Sequence, residues 1–141
     1  MAGAVGPFKW SDFFIRWLFS FGLLTATYNP TGHSFVGWVL DSGTENLAFK
    51  VFVGVGLLIL HLFAFSVSMR TLTGTGISVS IAFFSVLTWA AYSLGVRLPS
   101  FAMTIMWIQF AIATTLAGGM SLALFRQHLS GQITPAAEGG Y

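Results

Sequence analysis

The sequence contains no cysteine in its 141 residues. Disulfides, thiolate metal sites, iron–sulfur clusters and cysteine nucleophiles are all excluded. Charge is almost as scarce: Asp, Glu, Lys and Arg together make up 7%, where an ordinary soluble domain carries about 25%. So few charged groups cannot cover a water-facing surface. No cluster of Lys and Arg marks a nucleic-acid patch, and nucleic acid is not expected as a partner. No Asp or Glu falls inside a long apolar run, which argues against a proton-coupled carrier built on carboxylate relays. Catalytic motifs are missing too. The "TGTG" at 73–76 lacks the lysine and flanking strand of a phosphate loop, and neither H-E-x-x-H nor G-x-S-x-G occurs. These absences point away from an enzyme.

What is present is apolar. Hydrophobic residues make up 55% of the chain, and the mean hydropathy is +0.81. An uninterrupted helix needs about 20 apolar residues to cross roughly 30 Å of hydrocarbon. Segments 47–69, 76–96 and 101–125 meet that length, each ending at or near an arginine (Arg70, Arg97, Arg126) able to reach the headgroups. A shorter first segment, 13–28, carries Arg16 one turn inside and is flanked by Trp10 and Trp17, the amphipathic rings expected at an interface. The reading is an all-α membrane protein of four transmembrane helices, with residues 1–127 as one domain and 128–141 as a mobile tail. No cleaved signal peptide is expected. Four crossings place both termini on one side. Lys9, Arg16, Arg70 and Arg126 then share that side, opposite Lys50 and Arg97, so the positive-inside rule makes it cytoplasmic.

After the first apolar segment the chain reads "TATYNPTGHSFVGWVL". Asn29-Pro30 is disfavoured within a continuing helix, because proline lacks a backbone donor and restricts its predecessor. The expectation is a helix stop at Asn29, Pro30, Thr31 and Gly32, then a surface turn using His33 and Ser34. The "FVGWVL" that follows re-enters the interface with Trp38 as its anchor. A Ser–His pair with no organised acid does not make a triad. The stretch 16–40, with its Arg-Trp-Leu-Phe entry at 16–19, Ala-Thr-Tyr-Asn-Pro-Thr-Gly exit at 26–32, and Trp38, resembles a small bacterial membrane-protein family catalogued only as a domain of unknown function. That resemblance implies a small multi-pass protein of the bacterial inner membrane. It implies no reaction, substrate or site residue.

Polar side chains inside apolar runs are the remaining functional candidates. His61 lies near the middle of the second span, on a stripe with Gly54 and Ser68 that should face protein. Gln109 lies at a comparable depth in the fourth span, within hydrogen-bonding reach of His61 if the two face each other. The plainer expectation is that His61 is satisfied by Ser78, Ser85 or a backbone carbonyl. No cofactor is called for, although His61 alone offers single-histidine ligation to a pigment or haem.

Helix faces suggest how the spans associate. In the third span Ser78, Ala82, Ser85, Trp89 and Ser93 share one face. In the fourth, Thr104, Ala111, Thr115 and Gly118 form a small-residue stripe opposite Gln109, leaving a second face for assembly. The expected role is a homo-oligomeric or accessory subunit of a membrane complex, with the bilayer and other membrane subunits as partners. The alternative is a small channel or transport component with His61 and Gln109 on a polar path.

Overall fold

The computed structural model describes residues 9–41 and 43–130, with side chains through residue 122. Five helices run in the order α1 (Trp10–Thr27), α2 (Phe35–Asp41), α3 (Leu47–Thr71), α4 (Gly74–Ser93) and α5 (Phe101–Ser130). Among the described residues every regular element is helical. Three are long and apolar enough to cross a membrane: α3, α4 and the Phe101–Leu122 part of α5. The first segment is an 18-residue helix carrying Asp12 and Arg16, and it is not one of the three. Most of the expected tail, 131–141, lies outside the described residues; its first residues belong to α5, which runs on to Ser130.

Local chemistry sets the boundaries. At the end of α1, Asn29 Oδ1 accepts from the Thr31 N–H at 2.9 Å, and Gly32 takes φ +85°, a conformation that favours glycine. Ser34 Oγ then accepts from the Gly37 N–H at 3.3 Å at the start of α2. α4 stops at Ser93, short of the arginine expected to end it. The reason is Gly95 at φ +85°, with the Val96 N–H closing onto Ala91 O at 3.0 Å; this is a left-handed helix stop.

α5 is the centre of the fold. α1 packs antiparallel along one side of it and α3 parallel along another. Between these helices lie Ala113 and Ala117, fully buried, with Ser20, Leu23, Ala64 and Ser68. Small residues dominate because close backbone approach, not bulk, holds helices together where lipid offers no hydrophobic gain. Gly119 is the tightest point: a Cβ there would meet Leu72 and lie 3.1 Å from Ser68 Cα. α4 differs from the other long helices, with no buried residue along its length.

Candidate functional site

Three seams of polar contacts converge on α5. Along α1, the Arg16 guanidinium donates to Ser121 Oγ at 3.2 Å and the Trp17 indole to Thr114 Oγ1 at 3.0 Å. Further along, Gln109 Nε2 donates to Tyr28 O at 2.6 Å and makes a longer 3.4 Å contact with Leu24 O. Along α3, Ser68 Oγ donates to Leu116 O at 3.0 Å and Thr71 Oγ1 to Gly119 O. Along α4, Ser80 Oγ and Thr115 Oγ1 share a hydrogen bond at 2.6 Å, and the Trp107 indole donates to Thr88 Oγ1 at 2.9 Å. Phe84 adds edge contacts to Trp107 and Phe110.

The bond that His61 and Gln109 could make across the bundle is not formed, and His61 takes the backbone-carbonyl option instead. Gln109 turns toward α1, whose last carbonyls need donors that the helix itself cannot supply. His61 turns the other way and bonds its own helix, Nδ1 to Leu57 O at 2.8 Å. A carbonyl oxygen only accepts, so Nδ1 carries the proton and, in the neutral ring, Nε2 keeps a lone pair. That Nε2 has no partner among the described residues.

His61 opens onto a groove of about 1110 Å³ between α3 and α4, floored by α5. Phe65, Phe84, Trp89 and Trp107 wall it, and Ser20 reaches it from α1. The lining residues include no Asp, Glu, Lys or Arg. Of the sequence candidates, His61, Ser85, Thr104, Ala111 and Thr115 all line this groove. The small-residue stripe of α5 is therefore turned toward α4 of the same chain, with Thr115 paired to Ser80. Gly118 has open space where a Cβ would be. Ser68 is buried against α5 instead. The packing face of α4 runs through Ser80, Phe84 and Thr88, rotated from the Ser78–Ala82–Trp89 face expected, because Thr115 and Trp107 offer partners only there.

Other features were not visible in the sequence. Ser20 is completely buried, and its hydroxyl, like Gln109 Oε1, has no partner among the described residues. Lys50, counted from sequence only among the basic residues opposite the termini, is 3% exposed. Its ammonium donates to Gly43 O at 2.5 Å and sits 5.6 Å from the Trp38 ring centroid. The aromatic at 38 was the only signal for that. Among the described residues no group of three or more His, Asp or Glu is placed to hold a metal ion. His33 lies exposed in the α1–α2 turn, its Nδ1 3.2 Å from Thr31 O.

Comparison with known families places this chain: it belongs to a family of unknown function, DUF6524, which matches residues 11–137. No curated protein and no solved structure matches it.

Proposed function

We propose that this is a multi-pass protein of the bacterial inner membrane, without catalytic activity, that works as a self-associating or accessory subunit of a membrane assembly. The observation that carries this is α4, a 20-residue apolar helix with no buried residue. Helices in lipid are held by packing and interhelical hydrogen bonds, and α4 has two such side-chain bonds and one aromatic cluster. Its outer face, with Val79, Phe83 and Val86 each about three-fifths exposed, is free to complete its packing on another subunit. The second face assigned to α5 from sequence passes to α4, because the α5 stripe at Thr104, Ala111 and Thr115 is turned toward α4 of the same chain, where Thr115 bonds Ser80.

The first crossing is shared between two helices. Tyr28 ends α1 at the level of Gln109, which lies eight residues into α5, about 12 Å from its start at 1.5 Å per residue. The α1–α2 turn and α2 cover the remaining height before α3 begins. Four crossings follow, with both termini cytoplasmic.

Light-scattering mass measurement in mild detergent tests the assembly reading. The expected result is a multiple of the 15.2 kDa chain or a stable complex with other membrane subunits, reduced by Phe83→Arg on the outer face of α4. A lone monomer in both detergent and lipid nanodiscs would remove the proposal.

A further inference from the structure

We infer that the groove between α3 and α4 binds a neutral lipophile bearing a phenolic or hydroquinone-type hydroxyl, held at mid-membrane by His61 Nε2 and Ser85. This goes beyond the assembly reading and uses the opposite side of α4.

Two unpartnered polar groups face this groove at one height. Ser68 bonds Leu116, so His61, seven residues earlier on a helix running parallel to α5, is level with Gln109. On α4, Ser80 faces Thr115 and Thr88 faces Trp107, so Ser85 between them faces the level of Phe110. The two side chains thus differ in height by about one residue, roughly 1.5 Å. Both line the groove, and Ser85, like His61 Nε2, has no partner among the described residues. One is a lone-pair acceptor and the other a hydroxyl that donates or accepts.

An apolar groove with a few convergent polar groups is the usual form of a small-molecule site. The chemistry of this one narrows its occupant. His61 lies ten residues from the end of α3, about 15 Å of rise, which is half of a roughly 30 Å hydrocarbon layer. A phospholipid keeps its polar groups at the surface and would lay only its tails here, leaving Nε2 unpaired. An ionised ligand would find no counter-charge, since no charged residue lines the groove. A tetrapyrrole with acidic side arms meets the same obstacle. A hydroxyl on an aromatic ring fits: it donates to Nε2, accepts from Ser85, and its ring packs among Phe65, Phe84, Trp89 and Trp107. Along α4 the lining runs from Ile77 to Tyr92, about 22 Å, which leaves length for an apolar tail.

The test titrates the purified full-length protein in detergent with reduced decylhydroquinone under anaerobic conditions, following tryptophan fluorescence, since Trp89 and Trp107 line the site. The dimethyl ether of the same compound, which lacks the hydroxyl protons, is the matched control. Saturable quenching is expected, with the hydroquinone preferred by roughly tenfold, the size of one hydrogen bond. His61→Leu should erase the preference, His61→Gln should restore part of it through its amide oxygen, and Ser85→Ala should weaken hydroquinone binding several-fold while the chain elutes unchanged on gel filtration. Equal binding of the two compounds, no saturable quenching, or an undiminished preference in His61→Leu would overturn the inference. So would a visible absorption band in protein from its native membrane that His61→Leu removes, which would give the site to a metallo-tetrapyrrole. Mass and ligand binding are separate readouts, so either reading can fail alone.

Discussion

The side-chain amide of Gln109 donates to the backbone carbonyl of Tyr28 at 2.6 Å, so a polar residue in the middle of one apolar helix closes the end of another. Gln109 is 7% exposed. In water such a helix end would be solvated, but in hydrocarbon every backbone carbonyl needs a partner from the protein. This explains the position of Gln109 without invoking a permeation path, and it separates Gln109 from His61.

Replacing Gln109 with leucine removes that donor and leaves the Tyr28 carbonyl unsatisfied. The expected loss is about 1–3 kcal/mol, read as a lower unfolding midpoint in detergent. Faster amide exchange should be confined to residues around 24–32. Unchanged exchange at the end of α1 would mean that the bond does not hold that end.

Gly119 and its neighbour Gly118 give a paired test of close packing. Gly119→Ala places a methyl against Leu72 and Ser68, and overpacking of this kind costs about 1–3 kcal/mol. Gly118→Ala meets nothing within 4 Å and should be neutral or slightly stabilising, since alanine favours helix by up to about 1 kcal/mol over glycine. Thermal melts of the two variants in the same detergent should separate clearly. Equal melts would show that α3 and α5 do not approach at Gly119.

The absence of native cysteine makes the topology directly readable. Single substitutions Glu45→Cys, before α3, and Thr73→Cys, between α3 and α4, are both at exposed positions. In intact cells a membrane-impermeant maleimide should label the first and reach the second only after permeabilisation. The reverse pattern would invert the proposed orientation, and labelling of both from outside would contradict a crossing by α3.

Much of the architecture follows from local rules. The span lengths of α3, α4 and α5 come from apolar runs, and the stop after α1 comes from Asn29-Pro30, whose turn uses the side-chain and glycine chemistry expected of it. The His61 partner was legible only as one option among hydroxyls and carbonyls, because the side-chain rotamer decides whether the ring turns to the carbonyl four residues back or to a neighbouring helix, and packing sets that rotamer. The groove was not legible. It depends on how far α4 stands from α3, and helix periodicity carries no information about distance between helices.

By itself, the sequence determined that the chain is helical, apolar and free of thiol chemistry, because composition and hydrophobic run length act residue by residue. Tertiary structure decided which way each polar side chain turns. Gln109 and His61 sit at one height on neighbouring helices, yet one caps α1 and the other faces an open groove, since helix rotation about its own axis is fixed only by the packing of all the helices together.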